Sequence, residues 1–390
     1  MNLKLAIPRD PLIFRDGKPF TAVPGERSKS MPFPFPATLA GAVRTRIGTN
    51  SSGEFDTTQI KSLLKISVRG PFLVELDENQ LITEWYFPAP ADALIVAEDG
   101  LTTRYALAPL DISNDIQSNL DVNLKLIGAK HNIKTKSISN LPLYWTWELL
   151  QEWLLKPPDE ETIDLETFNA IHGPARETRT HVSIDPKTQT AVAGALFQTS
   201  GMEFIQLKQG DPLSKSSQLA LAIETTVDFA NGMGFLGGER RVIRWEKAQG
   251  EKAKLPECPQ NLKDQIKRDA HCRLILATPA HFKEGYLSTE FEKKHKIKIQ
   301  AVALPRYQTI SGWDYAAKNG RGAPKPTRRL VPAGSVYFIK FEDKSQIENF
   351  VNKVWLHSIS DDEQSQYDGF GLALLGTWNG VLRKMEVKYG

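Results

Sequence analysis

From His271 to Trp378 the chain spells a fixed order of elements, and that order constrains the fold more than any other feature of the sequence. "HCRLILATPAHF" is an apolar run of strand length, and "LSTEFEKKHK" follows as a short helix. "IKIQAVALPRYQTISGW" and "GSVYFIKFE" supply two further strands. "SQIENFVNKVWLHSI" places Ile347, Phe350, Val351 and Val354 on one helical face, and "FGLALLGTW" closes the series as a strand.

The order βαββαβ is that of the ferredoxin-like split unit, which RNA-recognition modules share. A chain of 390 residues is longer than one core usually serves, so two domains are expected. The reading is α+β, with an N-terminal ferredoxin-like domain over residues 1–250, carrying insertions, and a C-terminal one over 251–390. In the first, "LKLAIPRDPLIF" is a strand and Pro36 opens a helix bearing Leu39, Ala42, Val43 and Ile47, with Gly48 as its stop. "LKISVRGPFLVEL", "EWYFPAPADALIV", "LALAIETTVDF" and "RRVIRWEKA" are strands, and "ETRTHVSID" with "AVAGALFQ" forms a hairpin. "LPLYWTWELLQEWLL" is read as a helix carrying Trp145, Trp147 and Trp153; so broadly apolar a helix needs deep burial or a partner. The acidic "DEETIDLETF" is read as a linker, and the polar stretch from Trp245 to Asp269 as the domain boundary.

Several function classes fall away. "NGMGFLGGERRVIRW" holds a formal G-x-G-x-x-G at Gly232, Gly234 and Gly237, but a strand follows it where a dinucleotide site needs a helix. "YDGFGLALLGTW" lacks the Lys-Ser/Thr ending of a phosphate-binding loop. The histidines have no metal spacing, and Cys258 and Cys272 make no C-x-x-C. No catalytic residue, metal or cofactor is therefore expected. No run approaches the roughly 20 apolar residues of a membrane span, so the reading is a reduced cytoplasmic protein with no membrane partner. A net charge of +3 is too small to argue for nucleic acid unless the charge is clustered.

It is clustered. "GWDYAAKNGRGAPKPTRRLVPAGSVYF" contains Lys318, Arg321, Lys325, Arg328 and Arg329, with no acid from Tyr315 to Lys340. Gly and Pro keep this segment out of regular helix, arginine forks suit phosphate oxygens, and Trp313 and Tyr315 are candidate base stackers. "HGPARETRTHVSID" adds His172, Arg176, Arg179 and His181, with Arg179 and His181 on one face of a strand. Histidines beside arginines contact phosphate, or cleave RNA as base and acid. Gly237, Gly238, Arg240 and Arg241 can bring backbone N–H groups and guanidinium groups to a phosphate chain. The acid-free "VNLKLIGAKHNIKTK" reads as a solvated lysine face.

Five segments in order, "RDPLIFRDGKPF", "PFPFPATLAGAVRT", "LGGERR", "ISGWD…PKPTRRLVPAGSVYF" and "GFGLALLGTW", resemble the RAMP proteins of CRISPR systems. More narrowly, they resemble the third subunit of the type III-B Cmr effector complex. The resemblance implies two ferredoxin-like domains and a non-catalytic subunit that holds the 5′ handle of the CRISPR RNA. Its implied partners are that RNA, the large polymerase-like subunit and backbone RAMP subunits. The family's glycine-rich loop maps onto Gly369, Gly371 and Gly376. Two alternatives stay open: a metal-independent RAMP endoribonuclease acting on repeat RNA through His181 or His172, and a protein scaffold without RNA.

Overall fold

The computed structural model describes residues 1–15, 27–28, 31–98, 100–112, 124–206, 216–314 and 322–384, with the backbone alone at 27–28 and 313–314. Its main elements begin with β1 (Asn2–Pro8), α1 (Pro36–Gly48), β2 (Val68–Leu76) and α2 (Trp147–Leu155). There follow β3 (Ala175–Ile184), β4 (Ala191–Glu203), β5 (Ser217–Thr225), β6 (Gly232–Phe235) and β7 (Val242–Lys247). Next come α3 (Gln260–Asp269), β8 (His271–Leu276), α4 (Thr289–His295) and β9 (Ile297–Ala303). Last are β10 (Val336–Phe341), α5 (Ile347–Val354), α6 (Glu363–Asp368) and β11 (Ala373–Thr377). The protein is mixed α+β, built mostly on antiparallel sheets.

Contacts gather the chain into two units, each made of three separated segments. The first comprises Met1–Thr83, Gly173–Ala253 and Thr309–Arg329; the second comprises Glu84–His172, Lys254–Gln308 and Leu330–Gly390.

In the first unit the sheet runs β2–β5–β1–β7–β6, each neighbouring pair antiparallel. β1 sits inside because Leu3, Leu5, Ala6 and Ile7 are apolar on both faces and buried. Lys4 is buried with them, its Nζ donating to Phe229 O at 2.5 Å and pairing with Asp228 at 2.9 Å. The strand stops at Pro8, short of the longer run read from sequence, because proline has no N–H to continue a ladder. α1 opens on Pro36 as expected and buries Leu39, Ala40 and Val43, packing against β2. β3 and β4 form the expected hairpin, with a register shift between Val182 and Ile184.

In the second unit the sheet runs β9–β10–β8–β11, again antiparallel throughout. Ile347, Phe350, Val351 and Val354 of α5 are all buried, as their spacing requires. Numbered by appearance, these four strands lie in the order 2-3-1-4. So do β1, β2, β5 and β7 of the first unit.

Two sequence expectations need correction, and one helix goes beyond what the sequence reading gave. Trp145 lies on a strand, Tyr144–Thr146, and the helix begins at Trp147, because the Thr146 hydroxyl accepts from Leu149 N and caps it there. The acidic linker contains a strand, Glu160–Ile163, paired with Leu101–Ala106 and tied by the Arg104–Glu161 ion pair. The polar stretch ending at Asp269 holds α3, whose inner face is only Leu262 and Ile266. Trp145 and Trp153 are each 1% exposed and meet edge to face at 5.6 Å, so their burial is within the unit itself. Beside them Arg273 and Asp92, 2% and 1% exposed at the side chain, pair at 2.6 Å. Trp153 Nε1 donates to the other Asp92 oxygen at 2.9 Å, and Arg273 donates to Trp153 O at 2.5 Å and to Thr377 O at 2.8 Å.

Both cysteines are buried and unbridged, and burial raises both thiols, that of Cys258 to about 12. Burial between Phe291 and Phe350, with Lys294 and Lys353 nearby, pushes His295 down to about 4. The unfolded chain, with a histidine pKa near 6.5, takes up this proton first. The contribution of His295 to stability is thus complete above about pH 6.5 and is lost as pH drops toward about 4. Urea midpoints should decline across that window, less steeply in His295→Gln; equal slopes in both proteins would refute the assignment.

Candidate nucleic-acid interface

The first unit holds three of the five resemblance-bearing segments and the 310–329 part of a fourth. After β1 the chain runs through Ile13, Phe14 and Arg15. Gly238 N donates to Ile13 O at 2.7 Å, which lays the "LGGERR" segment alongside. Gly237 is required there: its φ is +80°, and a Cβ would stand 2.5 Å from Ile13 O. Glu239 then receives Arg15 at 2.7 Å on one carboxylate oxygen and Arg241 at 2.9 Å on the other. The Arg240 guanidinium lies 4.7 Å from the ring centre of Phe235.

Beside this turn is a cavity of about 210 Å³ lined by Arg15, Phe35, Ala37, Thr38, Gly312 and Lys325, among others. Phe35 is the N-cap of α1 and makes no side-chain cap bond, and the first turn carries no acid. The positive end of the helix dipole therefore meets the cavity with no acidic side chain in the helix's own first turn to offset it, the arrangement that favours an anion. Lys325 N donates to Gly312 O at 2.7 Å, and Trp313 and Asp314 pair with Pro324 and Ala323, so the basic segment is a hairpin at its base. Lys325 is exposed, Arg328 half-buried and Arg329 exposed. Lys318 and Arg321, and Tyr315 with them, lie outside the described residues, and for Trp313 only the backbone is described.

The β3–β4 hairpin also belongs to the first unit. Arg179 Nε is 2.7 Å from Glu177, with the charges of Glu203 and Asp10 near, so its own neighbours largely neutralise it. His181 shares its face, stacks on Phe197 at 5.2 Å, and exchanges a hydrogen bond with Thr199 Oγ at 2.9 Å. Arg176, exposed, pairs in register with Met202 on the opposite face. His172 lies in the second unit.

The fifth segment is in the second unit and is buried. Gly369 ends α6 in the left-handed conformation, and a Cβ on Gly371 would stand 2.7 Å from Ser360 Oγ. A Cβ on Gly376, inside β11, would stand 3.0 Å from the Arg273 guanidinium. Close packing accounts for Gly371 and Gly376, and the left-handed helix end for Gly369. Among the described residues no three His, Cys, Asp or Glu side chains could hold a metal, and no helix is long and apolar enough to cross a membrane. Sequence reasoning missed Arg15 and the α1 terminus as members of the site, although "RDPLIFR" and the proline-led, acid-free start of α1 were both legible.

Chemically, the arrangement offers cations, a helix terminus and glycine-lined backbone. It suits a phosphate chain.

The family model described as CRISPR-associated protein (Cas_Cmr3) matches residues 5–378. No curated protein matches the chain in sequence. Among solved structures, a chain in a cryo-EM structure of the type III-B Cmr-beta bound to cognate target RNA is similar at 16% identity and TM-score 0.48, covering 94% of this chain and 95% of that one. A chain of the same assembly with target RNA and AMPPnP gives 16% identity and TM-score 0.46, over 90% and 89%.

Proposed function

The chain belongs to the Cas_Cmr3 family of CRISPR-associated proteins, and from that premise we propose that it is a non-catalytic RNA-binding subunit of a cytoplasmic type III-B effector complex. Its two sheets are read as ferredoxin-like RAMP domains, a reading supported by the strand order 2-3-1-4 that they share. It holds the 5′ handle of the CRISPR RNA and meets the large polymerase-like subunit and a backbone subunit. One observation carries the RNA reading: Arg15, the uncapped start of α1 and Lys325 surround a single cavity. Phosphate contacts of this kind fix the position of a strand without reading its sequence.

Purified protein should bind a single-stranded repeat-derived RNA, more weakly as salt rises, and leave it uncut with or without added metal. No binding at low salt would refute the reading. Metal-independent cleavage lost in His181→Ala would establish the endoribonuclease alternative instead.

A further inference from the structure

The edge of the first unit's sheet carries a surface that the RNA reading leaves unassigned, and the inference drawn from it rests on that reading. β6 reads Gly232-Met233-Gly234-Phe235. Alternation puts the two glycines on one face and the two large apolar residues on the other. The usual arrangement is inverted here. Gly232 faces Trp245 in register and Gly234 faces Ile243, both buried, while Met233 and Phe235 are 52% and 53% exposed. A slip of one residue would turn Met233 and Phe235 inward. No space exists for them: a Cβ at Gly234 would already stand 2.8 Å from the Trp245 indole nitrogen.

A second feature aims a charge at the same place. Glu239 and Arg240 adopt φ of 59° and 51°, a left-handed conformation that residues other than glycine disfavour. That turn sends Glu239 to Arg15 and Arg241 and sets Arg240 over the Phe235 ring. Among the described residues the Arg240 guanidinium pairs with no carboxylate. Arg244, directly opposite Met233, shares the outer face and is 3.4 Å from Glu246. The surface is thus apolar at its centre, with Arg240 and the Arg244–Glu246 pair at its rim. Backbone strain that delivers a particular side chain is the kind of feature that function explains and folding does not.

We propose that Phe235 is a stacking platform for one unpaired base of the bound RNA, with Arg240 beside it to take that nucleotide's phosphate. A base offers the flat apolar face and its phosphate the negative rim, so one nucleotide satisfies both halves of the surface.

The test uses full-length protein and a labelled, unpaired RNA of about 12 nucleotides. Phe235→Ala should weaken binding roughly 5- to 150-fold while leaving the salt slope unchanged, and Phe235→Trp should bind like the parent. Arg240→Ala should lower the slope of log affinity against log salt by about 0.7. Because Phe235 is exposed, all three variants should melt at the parental temperature. Parental protein that binds RNA with Phe235→Ala binding equally well overturns the platform and leaves the RNA reading intact. Parental protein that binds no RNA overturns both. Unchanged RNA affinity with loss of a subunit from the assembled complex makes the surface a protein contact and also overturns the proposal.

Discussion

Replacing Asp92 by alanine should cost the second unit about 3–5 kcal/mol, the penalty for leaving a buried charge without its partner. Arg273 is only 2% exposed at the side chain, so it cannot reach water once the carboxylate is gone. The same substitution removes the acceptor of the Trp153 indole, orphaning a second buried donor. Arg273 still holds Trp153 O and Thr377 O, so α2 and β11 stay tied to β8 by part of the network. For a unit of this size the melting midpoint should fall by about 10 °C. Asp92→Asn keeps an acceptor for the indole and should fall less. If both variants melted with the parent, the buried pair would have no role in holding the unit together.

Removing Arg15 and Lys325 together should change RNA binding more than any substitution of cations outside the cavity. Two lost phosphate contacts lower the slope of log affinity against log salt by about 1.4 for a single strand, which at 0.1 M salt, relative to 1 M, amounts to about 25-fold in affinity. Arg179→Ala is the control. Arg179 lies outside the cavity and pairs with Glu177 at 2.7 Å, whereas Arg15 lines it and shares Glu239 with Arg241, so loss of Arg179 should barely alter the slope. Titrations at several salt concentrations separate the two. An equal slope change in the control and the double variant would remove the cavity from the RNA path.

The last third was legible from sequence because each of its elements carries a local apolar signal. Ile347, Phe350, Val351 and Val354 mark a helical face within one short window, and β8, β10 and β11 are short apolar runs. α3 was not legible, since two apolar residues among ten leave no stripe to recognise. The start of α2 turned on a single hydroxyl, that of Thr146, which no window average registers. In the site, the glycines and arginines of "LGGERR" were visible as residue types. Their meeting with Arg15 was not, because nothing local connects the two segments. The outward turn of Phe235 was hidden as well: Gly-Met-Gly-Phe fits either register, and only the Trp245 indole decides between them.

The division of each unit into three segments bears on how the protein is made. On the ribosome, a continuous N-terminal domain can close while the rest of the chain is still being synthesised. This one cannot. Arg15 and the start of α1 emerge early, whereas Gly312 and Lys325, which complete the same cavity, emerge only after most of both units has been translated. A nascent chain therefore exposes the early half of the cavity with no opposing wall, and the RNA capture proposed for it becomes possible only once Lys325 has emerged.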